Sequence, residues 1–168
     1  MWGFFILISC FSKIKLIFFH KKIMKTKVYS AFPGCGKTTY FNTTDRNVLD
    51  SDSSKFDKRA FPDNYLDHIE ANAKDPKIDK IFVSSHKDVR DGLLKRGIPF
   101  VLVYPDRSLK DEYIQRYKDR GNNEGFVNLL DSQWDNWMDE MDNLSAPKGQ
   151  TLYKVKLGSG QYLADVID

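Results

Sequence analysis

The stretch YSAFPGCGKTTYF, residues 29–41, sets Gly34, Gly36, Lys37 and Thr38 close together, directly after a short apolar run. Two glycines let a backbone curl so that several amide N–H groups point at one spot, and a helix starting there adds about half a positive charge. A lysine in this position reaches outer phosphate oxygens, and a threonine hydroxyl after it can bind Mg²⁺. Pro33, Gly34, Cys35, Gly36, Lys37, Thr38 and Thr39 are therefore candidates for holding the polyphosphate of ATP. The pattern is A-x-x-x-x-G-K-T, with Ala31 where glycine is usual.

Three further clusters carry charge suited to phosphate chemistry. In VLDSDSSKF (48–56), Asp50 ends a short strand and Asp52 follows. One carboxylate can serve the metal shell while the other, with Ser53, faces an acceptor. The strand at 80–85 ends in Ser84-Ser85, so the metal-side carboxylate must come from Asp50 or Asp52. In SSHKDVR (84–90), Arg90 falls on the inward arc of its helix with Val89, Leu93 and Leu94. A guanidinium there needs an anionic partner, either a structural acid or a substrate phosphate. His86 reads as a structural residue or cap. Arg107, Arg116 and Arg120 lie in DRSLKDEYIQRYKDRG (106–121), with Glu112 one turn before Arg116. The bland reading is a surface ladder of ion pairs; the sharper one is a lid, around 107–125, whose arginines grip a transferring phosphoryl group bidentately.

The elements that must position these residues follow from hydrophobic period. KVYSAF (27–32), NVLD (47–50), KIFVSS (80–85) and IPFVLVY (98–104) read as strands. The continuous apolar runs among them imply cover on both faces. TLYKVKL (151–157) alternates with lysines, as a half-exposed edge strand does. Helices are expected from Lys37, over 63–74, over 86–97 closed by Gly97, over 108–121 and over 124–144, with a short last one carrying Leu163, Val166 and Ile167. Trp134 and Trp137 read as core. Alternating strands and helices demand right-handed crossovers, hence an α/β three-layer sandwich with a mainly parallel five-stranded sheet. Ligands in such sheets sit at the carboxyl ends of the strands, where the glycine turn, Asp50 and Arg90 all fall.

The chain has 168 residues, 29% charged and 41% hydrophobic, which suits one soluble domain with a real core. Its net charge of +3 is exceeded by the four lysines of residues 1–23, so residues 24–168 carry −1. A nearly neutral body argues against broad nucleic-acid binding and leaves room only for a local basic cleft. Cys10 and Cys35 have no metal-ligand spacing and read as free thiols in a reducing, cytoplasmic setting. Residues 1–23 form an apolar extension interrupted by Lys13 and Lys15, a poor fit to an export signal or membrane span. The favoured reading is that the domain starts at Met24, with a weak membrane anchor as the alternative. The oligomeric state is open, a homodimer included.

Taken in order, AFPGCGKTT, LDSDSS, SSHKDVR, YPDRSLKDEYIQRYKDRGN and GQYLADVI resemble the small P-loop kinases, most closely the bacteriophage deoxynucleoside monophosphate kinases. The resemblance covers roughly residues 24–168. It implies a P-loop kinase fold with a short helical lid and transfer of the ATP γ-phosphoryl group, with Mg²⁺, to the phosphate of a nucleotide. By position, Lys37 and Thr38 would hold ATP and metal, Asp50 and Asp52 metal and acceptor, Arg90 the acceptor phosphate, and Arg116 and Arg120 the lid. Ala31 and the missing aspartate after IFVSS depart from the pattern. A phosphate acceptor needs cationic clamps, whereas a hydroxyl acceptor needs a carboxylate as base. The arginines favour the first; Asp52 keeps open a kinase for a nucleoside, a polynucleotide 5′ end or a small metabolite. A non-catalytic nucleotide-binding module is the remaining reading, while a GTPase is disfavoured by the lack of an N-K-x-D sequence.

Overall fold

A computed structural model describes residues 27–167. The apolar extension, the start at Met24 and Cys10 lie outside the described residues. Five strands, β1 (Val28–Ala31), β2 (Val48–Asp50), β3 (Lys80–Val83), β4 (Phe100–Pro105) and β5 (Leu152–Leu157), form one sheet in the order β2-β3-β1-β4-β5. Every pairing is parallel. The apolar runs of β1, β3 and β4 are buried along their whole length, as strands covered on both faces must be. The lysine-bearing β5 is a half-buried edge strand.

Among the described residues, six α-helices connect or follow the strands: α1 (Lys37–Thr43), α2 (Asp63–Ala73), α3 (Lys87–Lys95), α4 (Lys110–Asp119), α5 (Glu124–Asn143) and α6 (Ala164–Ile167). Short 3-10 turns at Ser53–Lys55 and Arg107–Leu109 precede α2 and α4. The β1→β2 crossover runs one way across the sheet and the three later ones run the other way. Right-handedness therefore puts α1 on one face and α2, α3 and α4–α5 on the opposite face. Among the described residues, no helix is long and apolar enough to cross a membrane.

The core is one continuous cluster in which Phe82 packs edge-on against Tyr29 and Tyr40, and Phe32 against Tyr113 and Trp134. Trp134 is fully buried and donates from Nε1 to Arg107 O at 2.9 Å. Trp137 meets the expectation of a core residue in part, packing against the core cluster. One face packs on Phe32, but the ring is only half-buried and lines a cavity, because α5 presents its Val127, Leu130, Trp134, Met138 and Met141 stripe to the core.

Gly97, at φ +66°, closes α3 as expected, since the left-handed region admits glycine without a Cβ clash. Within α3, Gly92 lies directly under the buried Leu66 of α2, where an added Cβ would overlap Leu66 Cδ1. Gly92→Ala would gain about 1 kcal/mol of helix propensity but overpack this contact at about 1–3 kcal/mol. The clash should win: the variant should unfold a few degrees below the parent in a thermal melt, and an unchanged or higher midpoint would contradict this packing.

Candidate functional site

The site grows out of the carboxyl end of β1. Ala31 is the last residue of that strand, pairs with Val103 of β4 and is fully buried. Among the described residues positive φ is confined to glycines, so position 31 makes no demand for one. The departure at Ala31 therefore costs the turn nothing. Demand falls instead on Gly34, at φ +83°, and on Gly36, at φ +93°. A Cβ on Gly34 would meet Tyr113 and Tyr117 at 3.3 Å, and one on Gly36 would meet Tyr162 at 3.1 Å. The turn is thus pinned from outside by three tyrosines.

Gly36 is the N-cap of α1, contributes no side-chain cap, and is followed by no acid in the first turn. The amides of Lys37, Thr38 and Thr39 lack intrahelical acceptors by geometry, which leaves this end of the helix electropositive. Lys37 Nζ folds back to donate to Ala31 O at 2.5 Å, and burial pulls its pKa below the usual lysine value. Thr38 Oγ1 donates to Asp50 Oδ2 at 3.3 Å, so β2 and α1 bring together the two residues expected to serve a metal. Cys35 is a buried free thiol beneath the turn, with Sγ 3.5 Å from Tyr113 OH and its pKa pushed up by burial. Its side chain points away from the turn's open side and does not face a ligand there.

Asp52 caps the 53–55 turn, accepting from the Ser54 N–H at 2.9 Å. That backbone hydrogen bond holds its carboxyl below the usual aspartate value. Ser53 O accepts from Lys58 Nζ at 3.2 Å. Sequence reasoning missed the residue that fixes this rim. Tyr65 OH donates to Ser51 O at 2.6 Å and accepts from Ser84 N–H at 3.1 Å, tying the ends of β2 and β3 together. In the sequence Tyr65 is one apolar-face residue of α2 among several, with no local sign of this bridge.

Arg90 is 3% exposed, and its Nη2 donates to Glu140 Oε2 of α5 at 2.7 Å. Its Nε is buried without a partner. The two side chains line a cavity of about 390 Å³ with Pro33, Ser84, Phe126 and Trp137. Gly34, Gly36, Thr39, Arg116, Arg120 and Tyr162 line a second opening of about 560 Å³. The glycine turn therefore borders two voids, Pro33 lining the first and Gly34 and Gly36 the second.

The segment expected to be a lid is docked, with Tyr113 and Tyr117 of α4 buried. Arg116 is held on every side: Nη1 donates to Gly34 O at 3.2 Å, and Nη2 donates to Glu112 Oε1 at 2.6 Å and to Gln161 O at 3.2 Å. Its guanidinium also lies 4.6 Å from the Tyr113 ring centre and 4.1 Å from that of Tyr162. Arg120 lies 6.0 Å over Tyr117 at the mouth of the larger opening. Arg107 belongs to neither void; it pairs with Asp135 and Asp139 of α5. The Glu112–Arg116 spacing was visible in the sequence. Glu112's other partners, Ser159 Oγ and Gly160 N–H at 2.8 and 3.0 Å, come from the β5–α6 loop and were not.

Among the described residues, no group of three or more His, Cys, Asp or Glu side chains is disposed to hold a metal ion. Thr38 and Asp50 offer two hard oxygens, a set that fits Mg²⁺ when substrate phosphates and water supply the rest. The Gly160 N–H, the Ser159 hydroxyl and Arg116 together hold the Glu112 carboxyl below its ordinary value of 4.5. A depressed carboxylate stabilises the fold above its unfolded pKa and loses that contribution as pH falls through the folded one. Glu112→Gln should therefore be less stable than the parent at neutral pH and lose less stability below about pH 4.5. Parallel acid limbs in urea titrations of the two proteins would contradict this. Compared with known proteins, the chain matches no family model, no curated protein and no solved structure.

Proposed function

We propose that the protein transfers the γ-phosphoryl group of ATP to the phosphate of a nucleoside or deoxynucleoside monophosphate, giving the diphosphate and ADP. One observation carries this reading: a glycine turn at a strand's carboxyl end, bearing Lys37, borders two separate voids, one lined by Arg116 and Arg120 and one holding the buried Arg90. Two nucleotides, one in each void, would bring their phosphates together at that turn.

On this reading the 34–39 amides and Lys37 cradle the donor phosphates, with the larger opening taking the ATP nucleoside. Thr38 and Asp50 would hold Mg²⁺, which would neutralise charge on the transferring phosphates. The bond between the γ-phosphorus and the β-bridging oxygen breaks as one forms to an oxygen of the acceptor phosphate. Lys37 swings from Ala31 O to the oxygens that gain charge. The acceptor is already ionised, so no proton needs to be removed. Asp52 suits this better than base chemistry, because a carboxylate held ionised by the Ser54 N–H is a weak proton acceptor. Arg90 faces the acceptor phosphate. Arg120, just past the end of α4 and with one distant ring contact, is better placed than Arg116 to follow the transferring group. Arg116 shapes the turn through Gly34 O.

Lys37→Ala should lower kcat/KM by about 10³-fold, since a cation aimed at developing charge is worth several kcal/mol, while the far-ultraviolet spectrum and melting midpoint persist. Arg90→Ala should act mainly on the acceptor's KM. A coupled assay for ADP release, run against each deoxynucleoside monophosphate, checks both. An unchanged Lys37→Ala rate would overturn the proposal.

A further inference from the structure

The smaller cavity holds an opposite charge beside the very cation assigned to the acceptor. Arg90 and Glu140 differ sharply in exposure: the arginine side chain is 4% exposed and the glutamate side chain 38%. Among the described residues, Glu140 is the only hydrogen-bonding partner of the Arg90 guanidinium. A guanidinium this deep cannot move out to water and would be destabilising unpaired. A carboxylate at the rim can instead swing out and be solvated. It also has a second cation at hand, because Lys87 lines the same cavity and, although held mainly by Asp91, feels the Glu140 charge.

Resting on the kinase reading above, we propose that Glu140 is a displaceable counter-ion that sets acceptor affinity: it neutralises Arg90 in the empty cavity and yields its place to the incoming phosphate. Two anions cannot share the one guanidinium at close range without repulsion. The free protein therefore starts from a stabilised Arg90–Glu140 pair, and the acceptor's apparent affinity is reduced by the free energy of opening it. An uncharged nucleoside has no group to compete for Arg90 and gains nothing from opening the pair. The apolar walls, Phe126 and Trp137 among them, are available to either ligand.

Glu140→Gln tests this with a sign that separates it from a positioning role. Glutamine keeps an oxygen for Arg90 and removes the charge. Calorimetric titration of the full chain with each of the four deoxynucleoside 5′-monophosphates should show about tenfold tighter binding of the preferred one to the variant. The matching nucleoside should bind both proteins alike, and a thermal melt verifies that the variant is folded. If glutamate instead serves to hold Arg90 in place, the variant binds the monophosphate more weakly. That result, or equal binding by both proteins, overturns the inference while leaving the kinase reading intact. Failure of every monophosphate to bind either protein overturns both.

Discussion

A parallel sheet sends every strand's carboxyl end to one rim, and that constraint governs the whole arrangement. All four pairings of the sheet are parallel, so each strand must be followed by a crossover that starts on the same edge. The glycine turn leaves β1 there, the Asp50–Asp52 segment leaves β2, and Ser84 with the α3 arginine follows β3. Connections from β1 and β4 depart in opposite directions, which opens the crevice where such folds take ligands. Residues 31–38, 50–53 and 84–90 meet in space because the topology leaves them no other edge.

What the rim then contains is largely a matter of incompletely paired cations. Among the described residues, Lys37 is held only by the backbone carbonyls of Ala31 and Phe32, and Arg90 by one rim carboxylate. Neither arrangement is what a purely structural lysine or arginine settles for in a core, where full pairing is the rule. Arg116 is the contrast, with two carbonyls, a carboxylate and two aromatic rings around it. It behaves as a clasp between α4, the glycine turn and the β5–α6 loop. Residues with incomplete pairing beside a void are where an anionic ligand gains most, and those with complete pairing are where the scaffold is made rigid.

Local pattern predicted the sheet well, because apolar runs bounded by turn residues need no long-range information. All five strands appear within about two residues of their expected bounds, and the sheet is wholly rather than mainly parallel. The meeting of Thr38 with Asp50 was also legible, since both follow strands onto the same rim. Partners across the tertiary fold were not. Arg90's burial predicted an anion but not that it would be Glu140, fifty residues away on α5. Tyr65, Gln161 and Tyr162 show nothing in their own neighbourhoods that marks them as parts of a site. Trp137 packs on the core yet also lines a cavity, because helical period alone does not say which side of a residue at the edge of an apolar stripe meets core and which meets a void. Ala31 looked like a defect in a pattern, yet its strand conformation shows why alanine suffices.

The central claim is that two nucleotides meet at the glycine turn and that the phosphoryl group passes from phosphate to phosphate. Phosphorus magnetic resonance of the protein with Mg²⁺–ATP and a mixture of nucleoside monophosphates and nucleosides reads this directly. The account predicts new diphosphate resonances growing in step with the loss of the ATP γ-signal. A new monophosphate resonance, from a phosphorylated hydroxyl, or a γ-signal that declines only to inorganic phosphate, would contradict it.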